Sequence, residues 1–214
     1  MKIMFVFLGM LLAAVCLLSP CSEANASVSI AAPASEKDTV TGLVGGFYTR
    51  LVDVMKDGDK LGFAGRYKRL EPTITASFNM PLMTRMAVGT TWAHATSDEQ
   101  QQLVSAFSDF SVANYANQFK SFDGEKFSVL DAKPVASGYI VETSLQPKDG
   151  AAVTINYLVE KDERGAWRIV DVFLNGSISE LAARRSEFTS IAKRDGIAAL
   201  VNSLGEKSRQ MGPS

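Results

Sequence analysis

Between residues 37 and 211 the hydrophobic pattern changes period twice. Over residues 37–55 the apolar side chains Val40, Leu43, Val44, Phe47, Leu51, Val54 and Met55 recur at spacings of three and four, which predicts an amphipathic helix. Gly45 and Gly46 interrupt it at a cost of about 1 kcal/mol each relative to Ala, which close packing would explain. A break at Lys56-Asp57-Gly58-Asp59 leads to a short second helix near residues 61–70, closed by Glu71-Pro72. Asn79 is placed to cap a third, with Pro81 in its first turn and Met80, Met83 and Met86 on one face before Gly89. That face reads as core or as a pliable wall for an apolar ligand. Ser97-Asp98-Glu99-Gln100 has the form of a capping box opening a long helix whose apolar positions are Leu103, Phe107, Phe110, Tyr115 and Phe119.

The period then shortens to two. Phe127, Val129 and Asp131 alternate with other residues, as do Tyr139, Val141, Thr143 and Leu145, and then Val153, Ile155, Tyr157 and Val159. Turn residues stand at Lys133-Pro134, Ser137-Gly138, Pro147-Lys148-Asp149-Gly150 and Arg164-Gly165. Short turns make neighbouring strands antiparallel, so a four-stranded meander ending over residues 167–174 is expected. Its last strand is apolar on both faces and needs cover on both. Two closing helices follow, one opening at Ser179-Glu180 and carrying Leu181, Phe188 and Ile191, the other carrying Ile197, Leu200 and Leu204. The fold class is α+β, with helices against a curved antiparallel sheet.

The N-terminus changes this picture. Lys2, an uncharged apolar run over residues 3–18 and then Ala24-Asn25-Ala26 follow the order of a secretory signal, with cleavage predicted after Ala26. Residues 27–36 read as a flexible leader and 37–211 as one domain. Both cysteines, Cys16 and Cys21, fall in the signal, so the exported chain has neither disulfide nor thiolate ligand. The signal removes Lys2 and Glu23, so the net charge stays at −1, and nothing in it suggests nucleic acid.

Candidate chemistry is sparse. His94 is the one histidine in the sequence, which excludes zinc clusters and obliges any Ser/His/Asp site to use it. No phosphate-binding glycine loop or nucleophile elbow is present, and no cofactor or metal is expected. Asp131 and Asp171 sit on predicted strands as a candidate acid and base. A carboxylate on an apolar strand needs a partner, and Arg185 is the predicted ion-pair partner of Asp171.

The chain resembles the toluene-tolerance, or MlaC-like, family of periplasmic phospholipid-binding proteins. The resemblance rests on Arg66-Tyr67-x-x-Leu70-x-Pro72-x-Ile74, Phe78, Met83-x-Arg85, Gly89-x-x-Trp92, Phe107, Tyr115-Ala116, Val141-x-Thr143, Tyr157, Gly165-x-Trp167-x-Ile169-x-Asp171-Val172 and Arg185-x-x-Phe188. The chain departs from the family pattern at Asn79, where an aspartate is frequent, and at Arg184, where a tyrosine is.

The resemblance implies an NTF2-like domain with an apolar pocket between sheet and helices that takes lipid tails and leaves the head group toward solvent. Candidate lipid-binding residues are Phe78, Met83, Met86, Phe107, Phe110, Tyr139, Val141, Ile155, Tyr157, Val172 and Phe188. It further implies a monomeric periplasmic carrier of phospholipid, or of a hopanoid-type lipid in one branch. Its implied partners are an inner-membrane ABC transporter complex and an outer-membrane lipoprotein bound to a porin. The rivals are an exported NTF2-like enzyme using Asp171 or Asp131, and a structural adaptor without ligand.

Overall fold

A computed structural model describes residues 35–212, so the predicted signal segment, its cysteines and most of the leader lie outside the described residues. Helix α1, Glu36–Lys56, begins at a capping box in which the Ser35 hydroxyl accepts from the Asp38 N–H. Val40, Val44, Phe47, Leu51 and Val54 are buried along the expected face. Its glycines do not serve close packing in the way expected. A Cβ at Gly45 would only graze Val129 at 4.0 Å, and one at Gly46 would meet nothing within 4 Å.

Helix α2, Gly58–Ser77, is longer than the pattern predicts. It kinks at Gly62, which takes a positive φ of 58°, and then runs straight through Pro72. An interior proline costs a helix roughly 3 kcal/mol. Burial of Leu70 and Ile74 on the far sides of Glu71-Pro72 outweighs that cost, and the helix stops only at Phe78. Helix α3, Met80–Val88, is capped by Asn79, whose side-chain oxygen accepts from the Leu82 N–H at 3.1 Å. A 3-10 turn, Gly89–His94, links it to α4, Ser97–Gln118. The capping box of α4 lies one residue earlier than expected, between Thr96 and Glu99.

The sheet has the order β1-β2-β3-β4-β5 with antiparallel neighbours: β1 Lys126–Val135, β2 Gly138–Gln146, β3 Val153–Lys161, β4 Trp167–Leu174 and a short β5, Ile178–Ser179. The predicted turn at Lys133-Pro134 is instead part of β1, where Pro134 stands opposite Tyr139. An edge strand tolerates a proline because one side of its backbone has no ladder to complete. A bulge between Val129 and Asp131 breaks the alternation and leaves Leu130 64% exposed. Helices α5, Glu180–Asp195, and α6, Ile197–Met211, close the chain. Ser179 caps α5 as expected, its hydroxyl accepting from Ala182 N–H at 2.9 Å. Among the described residues no helix is long and apolar enough to cross a membrane.

Candidate functional site: a filled interior and an arginine-flanked cleft

Strand register decides which side chains meet the helices. Val141, Tyr157 and Val172 are cross-strand partners on one face, as are Thr143 and Ile155, and α1 packs against that face. Phe47 sits at its centre, edge-on to Phe78, Tyr115 and Tyr157 with ring centroids 5.3, 5.4 and 6.3 Å away. Tyr48 lies beside it. Its hydroxyl is 2.6 Å from Thr143 Oγ1, which in turn donates to the Ile155 carbonyl. Burial raises the pKa of the Tyr48, Tyr115 and Tyr157 phenols, outweighing the opposing effect of the Thr143 hydrogen bond on Tyr48.

The second half of the interior lies between α3, α4 and α5. Phe188 of α5 meets Phe107 and Phe110 of α4 edge-on, at 6.4 and 6.2 Å. Met80 and Met83 of α3 belong to the same apolar cluster. Arg184 stands 5.0 Å over the Phe110 ring and pairs with Glu180 at 3.4 Å, so the position that departs from the family pattern roofs this half.

Of the candidate lipid-binding residues, Phe78, Met83, Phe107, Phe110, Val141, Ile155, Tyr157 and Phe188 are buried core, none more than 8% exposed. Tyr139 and Val172 are half-buried at the core's margin, and Tyr139 packs edge-on against Trp167. Met86 is 39% exposed. These buried residues pack against one another as part of the hydrophobic core beneath the helices. Phe47, Tyr48 and Tyr115 complete the filling and were not among the candidates. Their sign in the sequence was the helical spacing of Phe47 and Tyr115; nothing marked Tyr48.

Two clefts open at the surface. One, of about 660 Å³, runs between α2, α4 and α6 and is lined by Phe63, Tyr67, Ala106, Asp109, Val201 and Arg209, among others. There Tyr67 donates to Asp109 at 3.0 Å. The other, of about 470 Å³, lies between α3 with its 3-10 turn and α5, and includes Arg85, Met86, Trp92, Asp171, Leu181 and Arg185. Both fall within the roughly 300–1,000 Å³ range of small-molecule pockets.

The expected ion pair between Asp171 and Arg185 does not form: among the described residues no cationic nitrogen lies within 4.0 Å of the Asp171 carboxylate. Hydrogen bonds satisfy it instead. Ser179 Oγ donates at 2.6 Å, and the N–H groups of Val172 and Leu181 donate at 2.8 and 3.3 Å. The Gly176 turn brings Ser179 and the start of α5 back to β4, which is why a backbone partner displaces the arginine.

Asp131 is paired with Lys37 at 2.5 Å, and that contact holds its carboxyl below the usual carboxylate range. Strands β2 and β3 separate the two aspartates, about 14 Å at ordinary strand spacing, so they do not form an acid and base pair. His94 is exposed at the end of the 3-10 turn. Among the described residues no group of three metal-binding side chains occurs.

A curved five-stranded antiparallel sheet with helices closing over its inner face defines an NTF2-like α+β fold. The solved structure of a phospholipid-binding protein from Ralstonia solanacearum, in complex with a phospholipid, matches with a TM-score of 0.69 at 21% identity. The match covers 80% of this chain and 97% of that chain. No protein with a curated description matches. The chain belongs to the MlaC family, whose model, described as MlaC protein, matches residues 47–206.

Proposed function

We propose that the protein is a periplasmic lipid carrier that holds a phospholipid by its acyl chains and shuttles it between inner and outer membranes. The observation that carries this reading is the MlaC family match across residues 47–206. The phospholipid held by the Ralstonia relative on the same fold supports the ligand class. The ABC transporter complex of the inner membrane and the lipoprotein and porin complex of the outer membrane are the donor and acceptor this reading calls for. The protein binds and does not transform its cargo, in keeping with two strand aspartates that lie far apart, Asp131 paired with Lys37 and Asp171 held by three hydrogen bonds.

The physics of holding a tail is favourable. A chain of about 16 carbons gains roughly 12 kcal/mol gross on leaving water, at about 0.8 kcal/mol per methylene. The burial of the candidate residues sets the condition for capture: a tail that reaches them displaces neighbouring side chains. The surroundings of Met80 and Met83 suit that, since methionines change shape at little cost, whereas the rings around Phe47 and around Phe188 meet edge-on.

The burial of most candidate lipid-binding residues within the core favours a second reading, an adaptor without ligand. Extraction of the purified protein with organic solvent, followed by mass spectrometry, separates the two. Phospholipid recovered in stoichiometric amount supports the carrier; a hopanoid-type lipid would assign the other branch of cargo. No lipid from several independent preparations would leave the adaptor standing.

A further inference from the structure

The 470 Å³ cleft between α3 with its 3-10 turn and α5 has walls of two kinds. Arg85 stands on the α3 wall and Arg185 on the α5 wall; both are exposed, and neither makes an ion pair among the described residues. Their neighbour Arg184, by contrast, is held by Glu180 and Phe110. Arg185 lies close against the backbone of Gly89. A Cβ there would sit 3.2 Å from its Nε and 3.3 Å from Nη2, and Gly89 takes a positive φ of 67°. The positive φ favours glycine here, and the missing side chain lets the guanidinium approach closely.

The one carboxylate in the lining, Asp171, is committed to Ser179, Val172 and Leu181. Two guanidiniums against one satisfied carboxylate leave the cleft cationic. Its apolar lining leads inward. Met86 is one helical turn from Met83 on α3, and Leu181 shares a face of α5 with Phe188, seven residues on, so both run into the methionine and phenylalanine half of the interior. Among the described residues the seam between α3 and α5 is bridged by a single long hydrogen bond, from the Thr189 hydroxyl to the Val88 carbonyl at 3.4 Å.

We propose that this cleft receives the phosphodiester of a lipid head group, with Arg85 and Arg185 donating to it from opposite walls while Met86, Trp92 and Leu181 guide the chains toward Met83 and Phe188. Planar guanidiniums suit phosphate because their N–H donors are arranged in a fork that matches two of its oxygens. The assignment rests on the carrier reading and adds to it a head-group site, where the family resemblance leaves the head group simply toward solvent.

Calorimetric titration of the full protein with three soluble probes tests it: dihexanoyl phosphatidylglycerol, dihexanoylglycerol, which has the same chains without phosphate, and sodium phosphate. The native protein is expected to bind the phosphatidylglycerol about tenfold or more tighter than the diacylglycerol. The Arg85→Gln/Arg185→Gln double variant should lose that preference and keep its affinity for the diacylglycerol, which also shows that it folds. Sodium phosphate should compete with the phosphatidylglycerol weakly and leave the diacylglycerol unaffected. If the double variant retains the preference, the cleft assignment fails while the carrier reading survives. If the native protein binds neither lipid, both fail. Inorganic phosphate binding as tightly as the phosphatidylglycerol would make the cleft a site for free phosphate and overturn the head-group assignment.

Discussion

The two halves of the interior are built from different materials. Beneath α1, rings meet edge-on around Phe47, and the polar groups among them are matched, Tyr48 to Thr143 and Thr143 to the Ile155 carbonyl. Between α3 and α5 the filling includes Met80, Met83 and Phe188, and among the described residues one long hydrogen bond bridges the helices and Arg85 and Arg185 make no ion pair at the rim. Edge-on aromatic pairs add roughly 0.5–1.5 kcal/mol each beyond simple burial and fix the rings in place. Methionine adds area without fixing geometry. Phe188 is held edge-on by Phe107 and Phe110 in the second half as well, so what sets that half apart is its methionines, and they are where the interior can change shape.

The sharpest way to break that contrast is to remove one filler from each side. Phe47→Ala should cost about 3–5 kcal/mol in denaturant-induced unfolding, whereas Met83→Ala, where neighbours can close over the gap, should cost about 2. Equal losses would mean that the halves are equally rigid. A second pair of variants tests the corner where β4 meets α5. Asp171→Ala strands the Ser179 hydroxyl and two backbone N–H groups and should cost about 1–3 kcal/mol, while Arg185→Gln should stay within about 0.5. Comparable costs would restore the ion pair that the geometry denies.

The smallest effect concerns the phenols. Tyr48, Tyr115 and Tyr157 have raised pKa values through burial, so the unfolded chain gives up its phenol protons first. Stability is then full below the ordinary tyrosine pKa of about 10 and falls as pH rises above it toward the folded values. Tyr48→Phe should cost about 1 kcal/mol at neutral pH and make the alkaline decline shallower, measured as the unfolding midpoint against pH.

Much of the fold could be read from the sequence, because caps and periods are local. Asn79 and Ser179 cap the helices they were expected to open, and the meander follows its turns. The failures are places where tertiary burial overrides a local signal. Ile74 carries α2 past Pro72, and the edge position of β1 absorbs Pro134. The site was harder to read for a different reason. An apolar residue in a buried layer has the same pattern whether it touches a ligand or another side chain, so Val141 and Phe188 were identified as interior without revealing which of the two they meet. The partner of Asp171 was misread because a backbone N–H leaves no trace in residue type.

The most direct measurement of the carrier reading is photolabelling with a phospholipid whose acyl chain ends in a diazirine, mapped by mass spectrometry of the digested protein. If tails pass between α3 and α5, labels fall on Met83, Phe107, Phe110 and Phe188, in the half that can yield. Labels confined to exposed Leu130 and Ile178, or to the cleft between α2, α4 and α6, would contradict capture of the lipid inside the fold.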